Sequence, residues 1–244
     1  MYLQRVVSGM LFSPLLLGLS LVTFGLAARN VVRFGVSADV IDLAASLERG
    51  HAMEGGYISN FIANRPGFDD FGDCGDAASR ARLSVALAAL READLSDDGA
   101  RVTLALERAE AASRARLACA PTDGNAWLQW ATVELRAAGP VPNVIAAMRN
   151  SARFAPSERW IVEPRLDVET RLSAAGAAAL EPQYAADLRQ FVEFEAPKTV
   201  AAVYVGHNGA VRDRMRSMVL AQPTRRRQEI TFEIDRLGVE VSKP

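Results

Sequence analysis

Histidine and cysteine are scarce in this sequence, since 244 residues contain only two of each. Neither His51 nor His207 has a cysteine or a second histidine at a spacing typical of metal ligands, so we expect no metal site. A glycine-rich phosphate loop and a Gly-x-Ser-x-Gly nucleophile motif are also missing. Without these groups the sequence predicts neither a cofactor nor an enzyme.

The chain also lacks a net basic charge. Its formal net charge is −1, which argues against a protein built to bind nucleic acid. Half of the residues are hydrophobic, too many for a disordered chain, and 23% are charged, too many for a protein with several membrane spans. These proportions favour a folded domain with at most one membrane segment.

No charged residue occurs between Arg5 and Arg29. As a helix, residues 6–28 would extend about 34 Å, enough to cross a hydrocarbon core of about 30 Å. We therefore predict a single transmembrane anchor over this segment. A cleaved signal peptide is the main alternative, because Gly25 and Ala27 place small residues where a cleavage site needs them, and a buried core helix is another. The uncharged run exceeds the usual signal-peptide core of about 7–15 residues, which favours the anchor.

Two glycines of this segment, Gly18 and Gly25, lie seven residues apart and so share one face of a helix. Small residues let helices approach closely in lipid. We expect this face to pack on a helix of a partner protein.

The two cysteines flank a predicted pair of helices. Residues 76–92 and 101–118 have apolar side chains at helical spacing, and the turn over 94–99 is short enough for antiparallel packing. Cys74 precedes the first helix and Cys119 follows the second, so one disulfide could close the open end of this hairpin. Two unrelated buried thiols are the alternative.

A disulfide behind a translocated segment indicates an oxidising compartment. We therefore predict a single-pass membrane protein, with residues 1–5 in the cytoplasm and everything beyond the anchor in the periplasm or another extracytoplasmic space. Residues 29–74 are interpreted as a juxtamembrane helix followed by an irregular loop, and residues 75–240 as an α-helical domain.

Helical spacing of apolar residues continues through most of the chain and predicts an all-α fold. We expect Ser37 to begin a separate helix over residues 39–49. Residues 173–178 are small and include a glycine, so they predict a turn, with Pro182 opening the next helix. Alternating Ile230, Phe232 and Ile234 leave a short strand as an alternative to the last helix.

The middle of the chain carries a 35-residue spacing, from Ala120-Pro121 to Ala155-Pro156. Trp127, Trp130 and Ala131 follow the first proline, and Ser151 precedes the second. With a one-residue insertion this pattern resembles the tetratricopeptide repeat, which has a period of about 34 residues. The resemblance covers residues 101–172, and Glu134 replaces an aromatic residue of the repeat. It implies stacked helical hairpins with a concave surface that binds a protein partner.

Candidate binding residues lie on this repeat-like segment and on the last helix. Trp127, Trp130, Glu134 and Trp160 could line a groove for a peptide or sugar, although such tryptophans are also typical of a repeat core. Arg225, Arg226 and Arg227 could contact an anionic glycan or lipid headgroups, or simply form a solvated face paired with nearby glutamates.

These features predict a membrane-anchored periplasmic helical-repeat protein. The arrangement resembles that of small Gram-negative inner-membrane proteins with one N-terminal span and a periplasmic helical-repeat domain. This resemblance implies an interaction or scaffold component of a cell-envelope complex, such as one that assembles or exports polysaccharide. Its partners would be the lipid bilayer and one or more envelope proteins. The alternatives are a glycan-acting enzyme that uses carboxylates such as Glu134 and Glu163, and a structural subunit of a larger membrane complex.

Overall fold

The computed structural model describes residues 3–65, 67–69, 74–96, 98–138, 142–172, 174–207 and 209–239. Side chains 3–15, 29–36, 138, 174 and 210 lie outside the description. The described backbone contains eleven helices and no strand, which confirms the all-α prediction and places Ile230 and Ile234 in a helix.

The helices have the following bounds: α1 Leu3–Glu48, α2 Tyr57–Ala63, α3 Asp76–Asp94, α4 Gly99–Cys119, α5 Gly124–Ala138, α6 Pro142–Phe154, α7 Arg159–Thr170, α8 Ala174–Phe194, α9 Pro197–Gly206, α10 Gly209–Leu220 and α11 Thr224–Arg236. They form two compact units. The first unit is Met1–Asp98 and the second is Gly99–Pro244.

In the first unit, α1 is continuous over 46 residues. The predicted helix start at Ser37 is wrong, because Ser37 is a buried residue inside α1. Val40, Leu43 and Ala44 continue the helix and are buried, and α1 packs against α3. A serine caps a helix only where the preceding backbone leaves the helical conformation, and here it does not.

The described side chains of the uncharged segment, residues 16–28, are all exposed. They include Leu17, Leu21 and Phe24, the last of which is 73% exposed. Over the described part of the chain, no helix has both the length and the apolarity needed to cross a membrane. The side chains of residues 6–15, the first part of the predicted anchor, lie outside the description.

The segment interpreted as an irregular loop contains α2, which is attached to α3 by one carboxylate. Oε1 of Glu92 accepts hydrogen bonds from the amides of Gly56 (2.8 Å) and Ile58 (3.4 Å), and Oε2 accepts from the Ser59 amide (3.0 Å) and hydroxyl (2.6 Å). Burial raises the pKa of Glu92, but these hydrogen bonds outweigh it and the pKa is lowered overall. Glu92 therefore caps α2 from a neighbouring helix.

In the second unit, α5 and α6 form a closely packed pair. Asp123 caps α5 by accepting a hydrogen bond from the Ala126 amide (3.0 Å), and it is paired with the buried Arg116 of α4 (2.6 Å). Beyond this pair, α7 packs on α8, and α9 packs on α11. Buried side chains of α7 to α11 form one apolar core cluster, and those of α5 to α8 form another.

Helix α8 begins earlier than the sequence predicts. The predicted turn over residues 173–178 and the helix start at Pro182 are wrong, because the helix begins at Ala174 and Pro182 lies inside it. Ser173 itself lies outside the described residues. Most of the small residues in this segment are alanine, which has the highest intrinsic helix propensity, so they extend the helix instead of forming a turn.

Candidate functional site

The second unit buries an ion pair between α7 and α8. Nε and Nη2 of Arg165 donate to the two carboxylate oxygens of Asp187, at 2.8 and 2.7 Å. Nη1 of Arg165 donates to the carbonyl oxygen of Ala155, at 2.8 Å. Both side chains are buried, so this pair joins the two helices and the segment after α6 through charged hydrogen bonds.

One turn further along α7, Glu169 is buried with incomplete hydrogen bonding. Glu169 is only 4% exposed, and its Oε1 accepts a hydrogen bond from Nε2 of Gln183 in α8 at 3.0 Å. Its Oε2 has no hydrogen-bond partner among the described residues. Burial, together with the Asp187 carboxylate, raises the pKa of Glu169 to about 8 against the opposing effects of Arg165 and Gln183. The carboxyl is therefore held largely protonated at neutral pH.

Glu169 lies at a cavity of about 200 Å³, which we call the Glu169 pocket. Helix α8 contributes four of its nine lining residues, α7 and α10 contribute two each, and Leu172 completes the wall. The lining residues are Glu169, Thr170, Leu172, Ala177, Leu180, Glu181, Tyr184, Val211 and Arg214. The pocket is thus a small, mainly apolar cavity with a few polar groups, as ligand pockets commonly are.

A second polar atom in the pocket lacks a partner. Tyr184 is buried, and its hydroxyl makes no hydrogen bond among the described residues. Burial raises the pKa of Tyr184, with Glu169 and Glu181 adding to the effect and Arg214 opposing it. A buried hydroxyl without a hydrogen-bond partner lowers the stability of the fold. Tyr184 is therefore a second unsatisfied polar group in the pocket, in addition to Glu169.

The rim of the pocket carries a partly exposed ion pair. Nη1 of Arg214 donates to both carboxylate oxygens of Glu181, at 2.8 and 2.7 Å. The guanidinium also lies 5.2 Å from the centre of the Tyr184 ring. Because Glu181 and Arg214 are each about half exposed whereas Glu169 and Tyr184 are buried, the ion pair marks the mouth of the pocket.

The predicted tryptophan surface is only partly exposed. Trp127 donates from Nε1 to the carbonyl oxygen of Pro121 (2.8 Å), Trp130 lies 5.2 Å from the guanidinium of Arg114, and both pack against the apolar core. Glu134 is half-buried and accepts a long hydrogen bond from Asn143 (3.5 Å). Trp160 of α7 is 62% exposed.

The three consecutive arginines of α11 have different environments. Arg226 donates to the carbonyl oxygens of Val192 and Glu195, and Arg227 donates to that of Leu220. These two side chains therefore satisfy carbonyls at the C-terminal ends of α8 and α10. Arg225 pairs with Glu229 at 3.1 Å and is 93% exposed.

The predicted disulfide is present. Both Cys74 and Cys119 are disulfide-bonded, and since the chain has two cysteines the bond joins them.

On α1, no described atom lies within 4 Å of a Cβ built at Gly18 or Gly25. The glycine face is therefore uncovered within the described part of the chain.

The histidines have local partners. Nδ1 of His51 lies 2.9 Å from the Ser46 hydroxyl, and Nδ1 of His207 donates to the Val203 carbonyl oxygen at 2.9 Å. The described residues contain no group of three His, Cys, Asp or Glu side chains that could hold a metal ion.

The sequence predictions missed the Glu169 pocket, although a signal for it was present. Arg165 and Glu169 interrupt the apolar face of α7 at helical spacing from Ile161, and Asp187 does the same on α8 beside Leu188. Charged residues on a buried face need partners or a function. That pattern would have singled out these three residues.

A comparison of this chain with protein-family models, with curated proteins and with solved structures finds no match.

Proposed function

We propose that this chain is a membrane-anchored helical binding protein of the bacterial cell envelope. Residues 6–28 would cross the inner membrane once, with residues 1–5 in the cytoplasm and the helices beyond the anchor in the periplasm. The helical domain would hold a protein partner of an envelope complex and would carry out no reaction itself.

The observation that carries this proposal is the exposed apolar surface of α1. All described side chains from residue 16 to residue 28 are exposed, and none of them is charged. A contiguous apolar surface of this kind is unfavourable in water and typical of contact with lipid or a partner. Contact with lipid offsets the cost without any change in the fold.

The disulfide supports the proposed compartment. Structural disulfides form and persist in oxidising environments such as the periplasm and are rare in a reducing cytosol. Cys74 and Cys119 both follow the proposed anchor in sequence, so translocation of everything after it would bring them into the oxidising space.

The interaction role is supported by the uncovered glycine face and by the helical pairs of the second unit. Gly18 and Gly25 have no side chains and no described atom covers them, so another membrane helix could pack closely against this face of α1. In the second unit, α5 packs on α6 and α7 packs on α8, as the proposed helical repeat requires, and Trp160 offers an exposed aromatic side chain. Arg225 is 93% exposed and pairs only with Glu229 on its own helix in the contacts described above, so its guanidinium could contact an anionic headgroup or glycan.

Topology tests the anchor directly. A full-length chain with different epitope tags at its two ends would be produced in a Gram-negative host. We expect it to remain in the membrane after alkaline carbonate extraction, and protease added to spheroplasts should remove the C-terminal tag only. Release into the supernatant, or loss of the N-terminal region by cleavage, would contradict the anchor.

The partner face can be tested by matched substitutions. Ala27 lies opposite Gly18 and Gly25 on the helix, so Ala27→Ile is a control for the double variant Gly18→Ile/Gly25→Ile. After gentle solubilisation and cross-linking, the glycine variant should lose most of a stoichiometric companion while the control retains it. Absence of any companion from the unmodified protein would contradict both the scaffold and the structural-subunit interpretations.

The enzymatic alternative has weaker support. Glu163 is exposed on α7 and Glu134 is half-buried on α5, and neither residue lines the Glu169 pocket. A glycosidase mechanism needs two carboxyl groups that flank one bond. The binding role therefore remains our proposal.

A further inference from the structure

We propose that the Glu169 pocket binds a small organic ammonium ion, with an apolar body in the cavity and its charged nitrogen at Glu169. This site goes beyond the envelope role, and it does not depend on the anchor, because the pocket lies within the second unit.

The size of the cavity sets the size of the ligand. Its volume is about 200 Å³, and a cavity of roughly 150 Å³ in another protein binds benzene. The pocket therefore accepts one aromatic ring or a short alkyl chain with a single polar group. Leu172, Leu180 and Val211 provide apolar contact for that body.

The charges around Glu169 leave its carboxyl without a cation of its own. Arg165 on the same helix is paired with Asp187 of α8. Arg214 of α10 is paired with Glu181 of α8. The other charges near Glu169 are therefore already paired. Glu169 itself has no cation partner, and its remaining neighbours on α8 are the neutral Gln183 and Tyr184. An added cation would pair with the ionised form of Glu169, whereas an anion in the pocket would meet the carboxyl groups of Glu169 and Glu181.

The unpartnered atoms match the chemistry of an ammonium group. Oε2 of Glu169 and the hydroxyl of Tyr184 are both buried and lack hydrogen-bond partners among the described residues. An ammonium nitrogen carries three donors and no acceptor, and both of these oxygens can accept. Hydrogen bonds between ionised partners are about twice as strong as neutral ones. Binding would therefore satisfy both oxygens at once.

Binding must also release a proton. Because burial holds the pKa of Glu169 at about 8, the free site is mostly protonated at pH 7. An ammonium ion favours the carboxylate, so the carboxyl proton passes to buffer as the ligand binds. Above pH 9 the carboxyl is already ionised, and the release disappears.

Titration calorimetry on the full-length chain in detergent tests the proposal, with benzylammonium as the probe and benzyl alcohol as its neutral analogue. We expect benzylammonium to bind at least about tenfold more tightly than benzyl alcohol, as loss of one charge-assisted hydrogen bond implies. At pH 7, where benzylammonium is fully protonated, its binding enthalpy should depend on the ionisation enthalpy of the buffer with the sign of proton release, and the binding enthalpy of benzyl alcohol should show no such dependence.

Variants locate the site. Glu169→Gln keeps the shape of the side chain and should weaken benzylammonium binding at least about tenfold. Glu163→Gln, an exposed change on the same helix, should leave binding unchanged. Equal binding of the two probes, unchanged affinity in Glu169→Gln, or no binding at millimolar benzylammonium would overturn the proposal. The buffer dependence is measured on the unmodified protein, so it decides the question even if Glu169→Gln fails to fold.

Discussion

At the scale of the residue, the main feature is a carboxyl buried without a full set of partners. Glu169 is 4% exposed and receives one hydrogen bond, from Gln183. The nearby Asp187 is equally buried but has both oxygens bonded to Arg165. Burial of an ionised group is tolerated only when it is paired and hydrogen-bonded, so these two neighbouring acids have opposite consequences for stability.

This difference predicts how stability depends on pH. The pKa of Glu169 is raised from 4.5 to about 8 by burial, so between these values the unfolded chain releases a proton that the folded chain retains. The free energy of unfolding should therefore fall as the pH rises from about 4.5 to 8, by up to about 5 kcal/mol in total. Glu169→Gln removes the titrating group and should remove this fall.

Tryptophan fluorescence during denaturant unfolding at pH 5 and pH 8.5 measures the effect. All three tryptophans lie in the second unit, so they report its unfolding. Glu163→Gln is the control and should keep the original pH dependence because that side chain is exposed. Identical pH profiles for the unmodified protein and Glu169→Gln would show that Glu169 is not the group responsible.

At the scale of the element, close packing of α5 against the end of α6 depends on one glycine. A Cβ built at Gly124 would lie 2.5 Å from the Ala155 Cβ, 2.9 Å from the Ala155 amide nitrogen and 3.0 Å from the Ser151 carbonyl oxygen. Two of these atoms belong to the backbone and cannot move aside as a flexible side chain can. The helices can approach this closely only because position 124 has no side chain.

We therefore expect Gly124→Ala to destabilise the second unit by about 1–3 kcal/mol, although alanine normally favours a helix. The measurement is the midpoint of denaturant unfolding followed by tryptophan fluorescence. Gly206→Ala, in α9, is the matched control, because no described atom lies within 4 Å of a Cβ at that position. A Gly124→Ala variant as stable as Gly206→Ala would mean that the two helices separate at little cost.

At the scale of the whole molecule, the chain has two compact units and one disulfide. Each unit has its own arrangement of helices, with α1 to α3 in the first and α4 to α11 in the second. The disulfide joins Cys74 and Cys119, the two cysteines of the chain.

Thiol labelling of protein purified from an oxidising compartment tests this link. After unfolding without reductant, a maleimide reagent should modify no cysteine, and after reduction it should modify two. The Cys74→Ser/Cys119→Ser variant should remain unlabelled in both conditions. Modification of both cysteines before reduction would contradict the disulfide and remove its support for a periplasmic location.

Much of the helical architecture could be predicted from the sequence because it depends on local patterns. Apolar spacing predicted α3 and α4 to within two residues at each end, and the positions of Cys74 and Cys119 around the predicted helices indicated their pairing. Local rules failed where two of them compete, as in α8, where alanine-rich helix propensity prevails over the expected start at Pro182.

The sequence by itself determined the helical class of the protein, its uncharged N-terminal segment and its cysteine pair, because spacing along the chain is enough to specify them. Only the tertiary structure decided which charges are satisfied. Arg165 and Glu169 lie on the same face of α7, one turn apart, and the sequence gives no reason to treat them differently. The opposing helix α8 presents a carboxylate to Arg165 and an amide to Glu169, so one is fully paired and the other has an unpartnered oxygen at a cavity.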